Sequence, residues 1–120
     1  MNDVFPKAER LYRTVYPPEL SHMYWKKDGS VSSAAFADPK GLSVDRGDDR
    51  TDETVAADMR NRFTGEIIRV YVKNCVDVGA VVRYLPSKTN PYHSEIHGSE
   101  STPLLSKSQR RHLAMKAVIV

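Results

Sequence analysis

The sequence predicts an α+β fold, a small mixed or antiparallel sheet with two main helices in one domain over residues 1–120. Three observations carry this. Short runs rich in β-branched and aromatic residues recur between Gly and Pro punctuation, two stretches carry helix-capping signals, and the two kinds of signal interleave along the chain. At 120 residues and 40% hydrophobic, the chain holds enough apolar material for a single core.

Residues 5–16 fit two templates. Leu11 with Val15 and Tyr12 with Tyr16 have helical spacing, while Leu11, Arg13 and Val15 also alternate as in a strand. Pro17 and Pro18 end the element in either case. His22 to Trp25 then meets Asp28-Gly29, a dipeptide suited to the positive φ of a tight turn, and with residues 31–36 predicts a hairpin. Leu42, Ser43 and Val44 read as a short strand running into a charged loop over residues 45–50.

The clearest helix covers residues 52–63. Thr51 is placed to cap it, Asp52 and Glu53 face the positive end of its dipole, and Arg60 and Arg62 lie near the negative end. Val55, Met59 and Phe63, four apart with Ala56 beside them, form its expected buried stripe, and Gly65 stops it. Residues 67–72 and 80–85 read as a pair of strands closed by Pro86, joined by a turn or a single helical turn. Residues 87–102 are rich in turn-formers. Ser106 and Gln109 then match a capping box, predicting a second helix over residues 107–117 that reaches the C-terminus.

Several function classes are excluded or unsupported. Eighteen Lys and Arg against 15 Asp and Glu give a formal charge of +3, which permits an acidic partner but equally serves solubility. The most apolar stretch, residues 76–85, is interrupted by Asp77 and Arg83, well short of the roughly 20 apolar residues of a membrane helix, so no membrane partner is expected. The first residues lack the basic and apolar regions of a secretory signal, and a cytoplasmic location is the expectation. Cys75 is the only cysteine, which forbids an internal disulfide and any zinc site needing two thiolates; its expected role is as a small core residue.

Two clusters bear on chemistry. His93, Glu95 and His97 form H-x-E-x-H. On a strand they share one face, as two imidazoles and a carboxylate of a facial metal triad would; on a helix only the two histidines pair. Without metal, the imidazoles remain proton-transfer candidates, histidine being the residue type suited to that role. No metal is expected, because sequence names no partner for the second nitrogen of either imidazole, and no cofactor is expected. The second cluster is the C-terminal helix, where Lys107, Arg110, Arg111 and Lys116 could meet phosphates, although Arg110 falls on the side of Leu113 and Ala114. The acidic run from Asp45 to Glu53 lacks the spacing of a calcium loop and reads as a solvated loop leading into a helix.

Taken together, Ser32-Ser33-Ala34-Ala35-Phe36, Leu42-Ser43-Val44-Asp45-Arg46 and Asn90-Pro91-Tyr92-His93 resemble blocks carried in this order by short bacterial proteins without an assigned activity. That resemblance implies a stand-alone bacterial domain and transfers no catalytic residue. Arg13, Ser32 or Ser33, and Glu95 also resemble the order of arginine, serine and glutamate in one type of ADP-ribosyltransferase, where they would gather around a nicotinamide cofactor. The chain departs from that pattern, with His93 where the family carries a glutamate or glutamine. The leading expectation is a small binding or accessory module engaging a protein or polyanionic partner, nucleic acid included, through Lys107, Arg110 and Arg111. The alternative is a small transferase or hydrolase centred on His93, Glu95 and His97, with Arg13 as a further candidate.

Overall fold

A computed structural model of the chain describes residues 2–120. It has the expected α+β architecture, and the sheet is antiparallel throughout. The elements are β1 (Arg10–Val15), β2 (Leu42–Arg46), α1 (Asp52–Arg62), β3 (Glu66–Tyr71), α2 (Val72–Val76), β4 (Val81–Tyr84), β5 (His93–His97), α3 (Lys107–Lys116) and β6 (Val118–Ile119). Two short 3-10 turns, His22–Tyr24 and Ser33–Phe36, lie between β1 and β2. The six strands are ordered β4-β5-β2-β1-β3-β6.

Alternation along the strands divides the side chains between two faces. One face carries Leu11 and Val15 of β1, Leu42 and Val44 of β2, Ile68 and Val70 of β3 and Ile96 of β5. These pack against Phe36, Cys75, Leu105 and Leu113 from the 3-10 turn, α2, the segment before α3 and α3 itself, forming the main core. The other face carries Tyr12 and Ile67, which α1 covers with Val55, Ala56 and Met59. A helix about 10 Å across covers roughly two strands spaced about 4.8 Å apart. The single helix α1 therefore shields β1 and β3 and leaves the β2, β5 and β4 half of that face without a helical cover.

The ends of α1 and α3 follow the local chemistry predicted for them. Thr51 Oγ1 accepts from the Thr54 amide, and Ser106 and Gln109 make the reciprocal pair of a capping box. Gln109 is buried with its amide satisfied, donating to the Val78 and Gly98 carbonyls and so tying α3 to the strand ends. Asp52 accepts from Tyr12 and from Arg69, which fixes the start of α1 over β1 and β3. Burial and then the Asp52 contact push the Tyr12 phenol up to about 12, and burial pushes the Cys75 thiol up to about 12. Cys75 is the core residue the sequence suggests.

Several expectations are corrected. Residues 10–15 settle as a strand, in register with β3 along its whole length. The hairpin is reduced to one bridge, Trp25 to Val31, around a turn in which Gly29 takes φ +88; residues 33–36 coil into a 3-10 turn that buries Ala35 and Phe36. The strands over 66–71 and 81–84 are not paired, since α2 carries the chain from the inner strand β3 to β4 at the far edge of the sheet. Phe63 is 47% exposed because the backbone turns extended there and leaves the helical stripe. The last helix stops at Lys116, and the chain then pairs Val118 and Ile119 with β3. Asp45 and Arg46, read as loop, continue β2 and are buried.

Arg46 is held from several sides at once. Its Nε and Nη2 donate to the two oxygens of Glu9 at 2.7 Å each, and further bonds reach the Asn2 and Val4 carbonyls. The Phe5 and Tyr84 rings lie over the guanidinium, 4.1 and 4.9 Å from their centroids. With side-chain exposures of 3% and 7%, Arg46 and Glu9 form a buried bidentate pair that holds the segment before β1 against the centre of the sheet. Arg46→Met should lower stability by about 3–5 kcal/mol, since it leaves the buried Glu9 carboxylate without its counter-charge and with the Asp48 amide as its remaining donor. Adding Glu9→Leu should restore part of that loss. Urea unfolding of the two single variants and the double variant checks it; additive losses would mean the pair is not coupled.

Candidate functional site

On β5, His93, Glu95 and His97 project from the face that α1 leaves open, while Ser94 and Ile96 point into the core. The strand alternative for H-x-E-x-H therefore holds. Register places Glu95 between Ser43 of β2 and Arg83 of β4, and places His93 opposite Asp45. Glu95 lies between the imidazoles, with Oε1 2.8 Å from His97 Nε2 and Oε2 3.6 Å from His93 Nε2. The three side chains are 13% to 29% exposed, His97 least and His93 most. His97 is thus engaged with the carboxylate, and His93 is the imidazole with the freer access.

Gly41 sets how closely that pair approaches the chain. Its φ is +109, and a Cβ there would lie 2.6 Å from His97 Nε2 and 2.7 Å from Glu95 Oε1. Only glycine meets both demands. The carboxylate–imidazole pair is consequently seated on bare backbone at the start of β2, which fixes Glu95 relative to His93.

His93 borders a cleft of about 300 Å³ whose walls include Tyr12, Thr14, Ser43, Asp45, Met59, Phe63 and Asn90. The cleft lies where β1 and β2 part. These strands pair only at Leu11 with Arg46 and at Tyr12 with Asp45, and beyond that point the Arg13 side chain bridges the gap by donating to the Ser43 carbonyl. Asp45 holds the two sides together. Its Oδ2 accepts from Arg62 at the end of α1, and its Oδ1 accepts from Asn90 Nδ2 at 2.9 Å, in the loop before β5. Tyr92 in the same loop has the Arg50 guanidinium 3.4 Å from its ring centroid, and Arg50 donates to the Arg46 and Gly47 carbonyls. The exit of β2 and the entry of β5 are therefore fastened together on the side where His93 stands.

The structure brings only some of the sequence candidates together. Arg13 borders the cleft but makes no hydrogen bond or ion pair with His93 or Glu95; its Nε donates to the Ala35 carbonyl at 3.0 Å and its Nη1 to Ser43 at 2.9 Å. Ser32 Oγ is engaged with the Met23 carbonyl. Arg13 and Ser32 are thus each engaged with backbone carbonyls and make no hydrogen bond with Glu95. Extended chain separates His93 and His97 by roughly 13 Å between Cα atoms, and Glu95 already occupies His97 Nε2. Among the described residues, no group of three His, Cys, Asp or Glu side chains is arranged to hold a metal ion. On α3, Lys107 and Arg111 are exposed, whereas Arg110 is partly buried and donates to the Leu105 carbonyl at 2.6 Å.

Sequence reading missed Asp45, Asn90 and Gly41. For Asp45 a signal was present, since Leu42, Val44 and Arg46 alternate with Ser43 and Asp45 without a break. No known protein family matches the chain, and neither does any curated protein or solved structure. Among the described residues, no helix is long and apolar enough to cross a membrane.

The seat at Gly41 can be tested directly. Gly41→Ala should cost at least about 1 kcal/mol from backbone strain and should also displace the His97–Glu95 pair, seen as shifted His97 ring signals in NMR spectra. Gly29→Ala is the control: it has a positive φ but open space around the added Cβ, so it should strain the turn and leave the His97 signals in place.

Proposed function

We propose that the protein is a small enzyme of the transferase or hydrolase type, with His93 as its proton-transfer group and its ligand lying in the cleft between β1 and β2. The observation that carries this reading is the convergence of His93, backed by Glu95 and His97, on a cleft with an apolar wall and a few polar groups. His93 would take the proton from an attacking hydroxyl or water and return it to the leaving group. Glu95 lies beside the His93 ring, and His97 holds Glu95 in place from the far side. Met59 and Phe63 supply the wall against which an apolar part of the ligand rests.

The binding-module reading keeps one supporting observation. From Ser101 to Val120 the chain contains no acidic residue, and Lys107 and Arg111 are exposed on α3, a surface suited to a polyanion. Arg110 is drawn away from that surface by its bond to Leu105, which leaves few cations there.

A panel of generic esters and phosphodiesters at neutral pH tests the enzymatic reading. Turnover of at least one is expected, falling about 100-fold or more in His93→Ala and less in Glu95→Gln. No turnover on any member, or turnover that His93→Ala leaves unchanged, would overturn it. Salt-sensitive retention on nucleic acid that Lys107→Glu with Arg111→Glu removes would then favour the binding module.

A further inference from the structure

Arg13 carries a positive charge that the protein itself does not balance. It is partly buried in β1, forms no ion pair with a described residue, and has two uncharged carbonyls as its hydrogen-bond partners. Arg46, Arg50, Arg62 and Arg69, which also reach the sheet or its edges, each meet a carboxylate. Burial pulls the Arg13 guanidinium below its ordinary pKa, and the field of Asp38 offsets this only in part. A cation withdrawn from water without a counter-charge is costly, and a fold that does not supply the counter-charge leaves the position to a ligand.

Space for such a ligand lies beside it. A hollow of about 90 Å³ is bordered by Arg13, Thr14, Tyr16, Tyr24 and Ala35, and Arg13 and Thr14 also border the cleft that reaches His93. A hollow of that size has room for a few waters or for a carboxylate or phosphate group in their place. Arginine has five N–H donors in a planar fork, and the two carbonyl bonds use one on Nε and one on Nη1. One N–H on Nη1 and both on Nη2 remain for an anion. Within the same molecule Asp45 does not compete for them, being held by Arg62 and Asn90.

We propose that Arg13 is an anion-binding residue, receiving in this hollow the carboxylate or phosphate group of a ligand. The site does not rest on the enzymatic reading: Arg13 alternates with Thr14 onto the face that carries Leu11 and Val15, whereas His93 projects from the other face. Phosphate and acetate, each titrated at constant ionic strength against chloride, distinguish the two sources of negative charge. The Arg13 Nε–Hε signal in NMR spectra should shift saturably with one or both, and the melting temperature should rise over the chloride control. Arg13→Met should abolish that rise, and Arg13→Lys should keep part of it. If Arg13→Met does not fold, the titration of the unaltered protein decides alone.

A signal that drifts only as it does in chloride, or a rise in melting temperature that survives Arg13→Met, would overturn the proposal. His93→Ala should retain the anion-dependent shift. Anion binding at Arg13 in a protein without turnover would therefore refute the enzymatic reading alone, while turnover without an anion effect would refute only the role of Arg13.

Discussion

Asp45 and Arg46 are adjacent residues of opposite charge, buried on opposite faces of β2, and most of what positions the cleft depends on how they are satisfied. Neither charge neutralises the other, because neighbouring side chains in a strand point apart. Arg46 draws in Glu9, Phe5 and Tyr84 and thereby pins the segment before β1 and the end of β4 to one face. Asp45 draws in Arg62 and Asn90 and thereby pins the end of α1 and the entry of β5 to the other. Burying either charge alone would cost several kcal/mol, so β2 tolerates both only with these partners in place. The charges thus act as position markers: they specify which segments meet at the middle of the sheet.

The unequal cover of the two faces links this framework to chemistry. One face is closed by the 3-10 turns, α2 and α3 over a continuous apolar core, and among the described residues the other carries only α1 as a helical cover. On the uncovered half, the alternation of β5 makes His93, Glu95 and His97 neighbours without further help, and the glycine at the start of β2 lets two of them settle onto backbone. The parting of β1 and β2 beyond Tyr12 and Asp45 creates the cleft beside them. A fully paired sheet at that point would have offered the same residues on a flat surface.

What the sequence disclosed follows from how local each feature is. The caps at Thr51 and Ser106 were legible because a cap is decided within four residues. The shared face of His93, Glu95 and His97 followed from a period of two once the segment was known to be a strand, and that knowledge came from pairing with β2 and β4, which a sequence pattern does not encode. Phe63 fits the helical stripe by spacing, yet the helix has ended there. Asp45 and Arg46 resembled loop because buried charges are rare and their partners lie 37 and 45 residues away for Glu9 and Asn90. Arg13 was singled out through a resemblance, but its carbonyl partners leave no trace in a pattern of side chains. Strand order was the least legible property, since α2 separates two strands that sit next to each other in the chain.

Native-state hydrogen exchange tests most directly whether β2 is the fixed centre on which the cleft depends. The Arg46 amide donates to the Tyr92 carbonyl at 2.9 Å, toward β5, and the Gly47 amide donates to the Arg10 carbonyl at 2.8 Å, toward β1. Both should exchange only through global unfolding, at the free energy that denaturant titration reports, while the Val120 amide at the β6 edge should exchange through local opening at a much lower free energy. Exchange of Arg46 and Gly47 as easily as Val120 would show that the centre of the sheet opens on its own, and would contradict the account.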